Sequence, residues 1–436
     1  MCTSSRRPRI PSSGCSSTDG RRARRLTPAP APSIRLGSRH IYYGWIIVAA
    51  VSITETVTWG IIYYGFPVFL RSMERDLGAS RVAITAAFSI GLGVAALAAL
   101  PVGRWIDRHG GRGLMTAGSC LAVALTFLWA RAESLATLYA VWFFMGLAMA
   151  ATLYEPAFAV VVSWFREGRD RALLTVTLVA GFASTIFMPI EAWLLERVGW
   201  RAALTILAVV LAVITIRLHA LVLRRGPSTI HRGADGAPAA APGMTLGRAA
   251  RTLVFWVLSI AFFVGNFATA AVSVHLIPFL GERGYSATLA AAIIGWMGAV
   301  QVPGRLIFVP ISARLGARWM VASVFFGQAV GLGLIPLIVL MGTALPFIIV
   351  MGASNGMSTL SRATSLAKIF GPRHYGSIAG AVALGANGAR AIGPVGASLL
   401  LLALGEYPTV FWTLAAALLI VSLAVLIAGA GVDTEK

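Results

Sequence analysis

Residues 103–112 read GRWIDRHGGR, and residues 309–318 read VPISARLGAR. At an offset of 206 positions Arg108 falls on Arg314, Gly110 on Gly316 and Arg112 on Arg318. The repeat extends outward from these two stretches. WFREGRDRA at 164–172 falls opposite IFGPRHYGS at 369–377, setting Phe165 on Phe370, and Pro189 falls opposite Pro394, both at an offset of 205. A near-constant offset over that distance makes the chain two copies of one unit. Each Gly/Arg stretch lies between long apolar runs and reads as a tight polar loop between helices. Asp107 stands where the positive end of the following helix dipole begins, and an acid is stabilised there. Arg108 and Arg112, on a glycine-rich turn, can pair with it or with carbonyls at a neighbouring helix end. Ala313 takes the place of Asp107 in the second copy. The first loop (Gly103, Asp107, Arg108, Gly110, Arg112) is therefore the expected gate, with Arg314 and Arg318 as its weaker counterpart.

The apolar runs set the class. The 436 residues are 58% hydrophobic and 12% charged, with a mean hydropathy of +0.81. Soluble domains average about 25% charged and about 45–50% apolar, so a water-soluble protein is excluded. A bilayer-spanning helix takes about 20 residues. Runs of that length lie near 43–69, 82–102, 113–130, 136–162, 172–195 and 200–223, and again near 252–280, 287–310, 319–341, 344–369, 376–403 and 408–430. The expected fold is an all-α integral membrane protein with twelve transmembrane helices in two six-helix, pseudo-symmetric bundles, residues 41–224 and 251–430. A polar Ala/Pro/Gly-rich linker at 225–250 joins them. Residues 1–40, rich in Arg, Ser and Pro, read as a disordered basic cytoplasmic tail, although the same composition also describes a transit peptide. Residues 431–436 are a short C-terminal tail.

Charge fixes the orientation and removes other classes. In a soluble protein the net charge of +20 would point to nucleic acid; here it marks one face of a membrane. Of the 36 lysines and arginines, seven (Arg71, Arg75, Arg81, Arg131, Arg197, Arg201, Arg283) fall in the odd-numbered loops and four (Arg217, Arg305, Arg362, Arg390) inside spans. The remaining 25 lie in the tails and even-numbered loops. The positive-inside rule makes that side cytoplasmic, with both termini on it, in a multi-pass protein of the cell (inner) membrane. Cys2, Cys15 and Cys120 have no metal-ligand spacing and form no disulfide framework. No nucleophile–base pair, metal cluster or phosphate loop stands out, so neither an enzyme nor a cofactor is expected.

Gly103-x-x-x-Asp107-Arg108-x-Gly110-x-Arg112 resembles the loop signature of the major facilitator transporters, whose substrate site lies near the membrane midplane between the halves. Further segments resemble one branch, the monocarboxylate porters and oxalate:formate exchangers. These are Tyr42-Tyr43-Gly44-Trp45, Trp164-Phe165 with Arg169 and Arg171, Gly199-Trp200-Arg201, Phe255-Trp256, His275 to Pro278, Pro303-Gly304-Arg305 and Gly393-Pro394. The resemblance covers about residues 42–430 and implies a carboxylate substrate. It also implies that Arg305, which has the spacing of the span-8 arginine of monocarboxylate porters, binds that substrate. Arg390 stands about one turn beyond the span-11 lysine of the oxalate exchangers, which aligns near Gly385–Asn387. Gln301 replaces the porters' acid four residues before Arg305, and Tyr63 or Tyr64 their span-1 lysine. Their usual proton relay is therefore missing.

Ionisable groups inside spans are costly and by default face a cavity or a partner. Arg217 and Arg362 fall in the cytoplasmic third, where a long side chain can snorkel to headgroups. Glu191 lies near the outer end of its span, and Glu55 and Arg390 near the midplane. Expected substrate-binding residues are Arg305, Arg390, Tyr63, Tyr64, His275 and Asn387, with His275 also read as a cap on carbonyls near Pro278. Proton coupling, where present, would use Glu55, Glu155 or His275, the last as a proton switch by its intrinsic pKa. The function read from these residues is secondary transport of a small organic anion, a mono- or dicarboxylate, by alternating access through proton symport or anion exchange. The partners are that anion, protons and the lipid bilayer, with no nucleic acid, and function as a monomer is expected. An exporter of drugs or metabolites with the same fold is the alternative, with a non-transporting receptor behind it.

Overall fold

The computed structural model describes residues 33–36, 39–165, 167–227, 230–232, 238–240, 243–338 and 341–433. Most of the expected basic tail, and Ser228 in the linker, lie outside the described residues. Within 1–43, which forms a unit of its own, β1 (Ser33–Leu36) pairs antiparallel with β2 (Arg39–Tyr42), Ile34 opposite Ile41. This part of the expected tail is therefore a hairpin. The alternation of Ile34, Leu36 and Ile41 with polar neighbours gives it the period of two that strands need.

The rest is helical, as lipid demands: only a helix or a closed barrel satisfies every backbone group there. The first run is α1 (Tyr43–Thr58), a π-helical turn at Trp59–Tyr64, and α2 (Gly65–Leu77). There follow α3 (Arg81–His109), α4 (Gly111–Ala130), α5 (Leu135–Thr152), α6 (Tyr154–Trp164), α7 (Arg169–Ala180) and α8 (Ala183–Leu211). A second π turn at Ala212–Ile216 leads into α9 (Arg217–Leu221). In the linker, β3 (Ile230–Arg232) pairs with β4 (Pro238–Ala240) before α10 (Leu246–Ala249). The second half is α11 (Leu253–Glu282), α12 (Ala287–Arg314), α13 (Ala317–Leu334), α14 (Met341–Phe370), α15 (Tyr375–Leu404) and α16 (Tyr407–Asp433). Ser80, Ser134, Thr252 and Ser286 each accept a hydrogen bond from the amide three residues on and so start α3, α5, α11 and α12.

Among the described residues, eleven helical runs are long and apolar enough to cross a membrane. One of them, Arg169–Leu221, has 53 residues, about 80 Å of helix, against a hydrocarbon core of about 30 Å. At Gly199-Trp200-Arg201, where a loop is expected, the backbone leaves helical geometry at Gly199, with φ 75° and ψ 164°, so two helices meet there with a sharp turn between them. Only glycine takes that conformation without strain. The core of the first half is aromatic: Trp142 packs edge-on to Phe66, 4.7 Å between ring centroids, and to Trp129 at 5.1 Å.

The two halves close on each other at the end that carries the loop signature. The C-terminal turns of α3 cross the N-terminal turns of α15 at backbone contact. A methyl group on Gly376 would lie 2.6 Å from the Gly103 carbonyl oxygen. Asp107 then reaches across. Its Oδ1 accepts from the Gly376 amide at 2.8 Å and its Oδ2 from the Ser377 amide at 2.7 Å, and the Ser377 hydroxyl donates to the same oxygen. These amides are orphans of the first helical turn, so Asp107 serves as a borrowed N-cap for α15. This corrects the sequence expectation. The helix end that Asp107 stabilises belongs to the opposite half, because the contact of Gly103 with Gly376 brings α3 against the start of α15, one turn from Asp107. Arg108 and Arg112 form no ion pair with it among the described residues; the Arg108 carbonyl instead accepts from Arg225 at 3.1 Å.

Asp107→Asn keeps one acceptor and loses the charge and the second. It should cost the closed state about 1–2 kcal/mol, a shift of roughly five- to thirtyfold in population. Flux in reconstituted vesicles should fall strongly while substrate affinity and membrane insertion stay near the parent's. Equal flux in mutant and parent would remove the latch.

Candidate functional site

Above this closure the helices that face the other half are interrupted. The π turn breaks the first run at Trp59–Tyr64, the second breaks between α5 and α6 at Leu153, and a third joint separates α7 from α8 at Gly181–Phe182. Interrupted helices leave backbone dipole ends inside the membrane, where they can meet charge. Glu155 sits in the first turn of α6, at such a positive end. It also accepts from Arg362 Nη2 of α14 at 2.8 Å and from Asn387 Nδ2 of α15 at 3.4 Å. Arg362 is thus committed to an ion pair across the halves, 13% exposed, and does not snorkel to headgroups as its position along the span suggests. The attraction of a carboxylate in a poorly hydrated centre outweighs the reach to the interface.

Glu55, fully buried, accepts from Trp59 Nε1 at 3.0 Å, and its other oxygen has no partner among the described residues. Trp59 packs on Tyr63 at 4.8 Å and on Tyr154 at 5.2 Å. Tyr64 lies edge-on to Tyr63 at 5.2 Å. Four aromatic rings from the π turn and the start of α6 therefore form one wall. The second half faces it with cations. Tyr64 and Tyr154 both lie within the electrostatic reach of Arg305 and Arg390, and Glu155 within that of Arg390.

Neither arginine forms an ion pair among the described residues. Arg305 Nη1 donates to the Thr177 carbonyl at 2.7 Å, which is the dipole-negative end of α7. Gly181 is the reason it fits, since any side chain there would collide with the guanidinium. Arg390 Nε donates to Asn266 Oδ1 of α11 at 2.7 Å, and that amide is oriented by its own bond to the Phe262 carbonyl. A guanidinium has five N–H donors, so each arginine keeps most of its capacity for a planar anion.

The structure brings together Tyr63, Tyr64, Arg305, Arg390, Asn387, Glu55 and Glu155. His275 stands apart. Its ring faces Ser398 Oγ at 3.3 Å and Tyr407 at 5.7 Å. It is nine residues beyond Asn266, about 13 Å along the helix axis. It therefore belongs to the packing of α11 against α15 and α16, and it is bonded to a hydroxyl where the sequence pointed to backbone carbonyls.

At the closed end, Asp170 in the first turn of α7 accepts from Lys368 at 2.8 Å and from Ser312 at 3.4 Å, and Arg169 donates to the Ala367 carbonyl at 3.4 Å. The second-half latch that lacks an acid at position 313 thus receives one from α7 itself. Arg314 lies in the last turn of α12, and Arg318 lies over the Trp319 ring at 5.8 Å. Sequence reasoning also missed His219, fully buried among Thr54 at 3.0 Å, Ser119 at 2.7 Å and the Met115 carbonyl at 3.2 Å. The signal was present in the two-residue step from Arg217 to His219, which turns the histidine inward on a helix whose arginine faces out.

A bundle pair closed at one end over a charged, aromatic centre defines a membrane transporter of the two-fold repeat type. Residues 45–381 match the Major Facilitator Superfamily, so the chain belongs to that family and is a transporter, not an enzyme. It is 26% identical over 313 residues to the oxalate:formate antiporter of Oxalobacter formigenes, covering 70% of this chain and 71% of that one. It is 28% identical over 330 residues to human monocarboxylate transporter 11, covering 71% of this chain and 64% of that one. Among solved structures, the Escherichia coli fucose:proton symporter aligns with a TM-score of 0.67 at 15% identity, over 88% of this chain and 98% of that one. A human organic anion transporter aligns with a TM-score of 0.66 at 15% identity, over 88% and 99%. At that identity these two structures show the fold alone.

Removing one member of the Glu155–Arg362 pair strands the other charge. Glu155→Gln or Arg362→Gln alone should cost about 3 kcal/mol. The double substitution should recover most of that loss in a thermal melt of the purified protein. Additive losses would show that the two groups are not coupled.

Proposed function

We propose that the protein carries a small organic anion, a mono- or dicarboxylate, across the membrane by alternating access. The observation that carries this reading is the pair Arg305 and Arg390: two cations on one half, held among the described residues by a carbonyl and an amide, opposite an aromatic wall on the other half. A carboxylate entering there gains two-point, charge-assisted hydrogen bonds and draws the halves together. The curated relatives support the substrate class, being named for oxalate, formate and monocarboxylate. Exporting an apolar molecule would leave both guanidiniums without a counter-charge. With the signature-loop end closed, the anion would enter from the opposite face. The Glu155–Arg362 pair offers a coupling route: a proton on Glu155 frees Arg362, so symport and anion exchange both remain within the chemistry of the site.

Losing one charge-assisted contact should cost on the order of 1.5–3 kcal/mol, or roughly ten- to hundredfold in affinity. A carboxylate that raises the melting temperature of the parent should be titrated against Arg305→Lys, Arg305→Gln, Arg390→Lys and Arg390→Gln. Arg305→Lys should rescue poorly, because ammonium keeps the charge and loses the planar fork; Arg390→Lys should rescue better if it acts as a point charge. Unchanged affinity in both Gln variants would make the arginines structural and end the anion reading.

The topology follows from the same proposal. With the 53-residue run counted as two, twelve passes would leave both termini and the linker on one side, and the basic residues of the tails and even-numbered loops argue for the cytoplasm. Reporter fusions at Ser228 and Lys436 should both give cytoplasmic signals. An external signal at either point would overturn the assignment.

A further inference from the structure

Glu191 is a buried carboxylate that neither the anion site nor the closed end uses. It lies on α8, two residues after Pro189, and its side chain is fully buried. Neither oxygen has a hydrogen-bond partner among the described residues. Oε1 lies against Gly65 at the end of the π turn, where an added methyl group would come within 2.8 Å of it. Among the described residues, no charged group answers it from the elements packed around it. On α2, Glu74 is tied to Arg81, Asp76 to Trp200 and Arg201, and Arg71 and Arg75 lie one to three turns farther out. Tyr63 and Tyr64 of the π turn pack into the aromatic wall. On α4, Cys120 is exposed and Arg112 stands at the far end. On its own helix, Glu196, Arg197 and Arg201 follow one turn or more toward the Gly199 bend. An ionised carboxylate without a partner is too costly to bury, so the group stays neutral.

Glu191 is also mechanically placed. Arg305 holds α7 by the Thr177 carbonyl. The joint at Gly181–Phe182 then separates α7 from α8, and Glu191 sits between that joint's helix and the π turn beside Tyr64. Both neighbours of the carboxylate are thus segments with an interruption, where helices bend most readily. An anion that draws Arg305 off Thr177 frees the joint, and a shift of α8 against Gly65 uncovers the acid.

Resting on the anion reading above, we propose that Glu191 is a proton-binding site, loaded in the conformation described here and unloaded when Arg305 releases α7. Anion binding and proton release are therefore coupled at this residue. The acid group gives up its O–H proton to water as the carboxylate becomes solvated, and takes one back on reclosure.

Two measurements test this. Dicyclohexylcarbodiimide adds to a protonated, apolar-sited carboxyl and rearranges to a stable acylurea. Peptide mapping of the full-length protein in lipid nanodiscs should place that adduct on Glu191, lost in Glu191→Gln and fading from mildly acidic to alkaline pH. In vesicles with an entrapped pH dye, formate- or oxalate-driven proton movement should vanish in Glu191→Gln while formate–oxalate exchange continues at the parent rate. Absence of the adduct at every pH overturns the site. Undiminished proton movement in Glu191→Gln overturns the coupling, and so does loss of exchange and proton movement together in a variant that melts like the parent. If the parent moves neither formate nor oxalate, the anion reading fails on its own, and the labelling still decides whether Glu191 holds a proton.

Discussion

One carboxylate, Asp107, holds the molecule in the arrangement described. It completes the first turn of α15 from the opposite half, and it can do so only because Gly103 and Gly376 let two backbones touch. Helix association in lipid has little hydrophobic drive, so close packing of small residues and interhelical hydrogen bonds must supply it. With α3 and α15 fixed at one end, α7 is brought against α12 and α14, Arg305 reaches the end of α7, and Arg362 reaches Glu155. Each of these contacts crosses between the halves. Opening the closed end therefore disturbs the whole central set together, which is what lets one substrate event be felt along the interface.

The centre is distinctive in how its charges are spent. Arg362 is matched by Glu155 within a helix-terminal field, whereas Arg305 and Arg390 rest on neutral acceptors. A neutral acceptor orients a guanidinium without cancelling it. On the proposed reading, the two uncancelled cations would favour a negatively charged ligand, while the matched pair adds no net charge. The tyrosine wall adds hydroxyls and ring faces suited to a small planar ligand.

Much of the fold was legible in the sequence, because lipid leaves few options: long apolar runs must be helices, and a constant offset near 205 residues must be a repeat. The sequence also marked which charged groups lie inside spans, and a charge there has to face something. Partnership was not legible. Asp107 meets residues 269 and 270 positions away, and no local pattern specifies which helix end a loop carboxylate will cap. Arg362 looked free to reach the interface because depth along a span says nothing about the acid across the gap. Glu191 was open to either reading from its place near the outer end of a span, and only the packing of Gly65 over its carboxylate shows it enclosed. The second-half latch was sought at position 313, in the repeat's own register, and its acid came from a different helix.

That last asymmetry has a consequence for ionic strength. The Asp107 edge is sealed by backbone amides, fixed dipoles that dissolved ions screen weakly. The Asp170 edge is sealed by a lysine whose side chain is 38% exposed, and exposed ion pairs weaken as salt shortens the Debye length. The two edges of one interface, alike in backbone, therefore answer differently to the medium. As salt rises, the α7–α14 edge yields first, and the α3–α15 edge becomes the hinge about which the halves part.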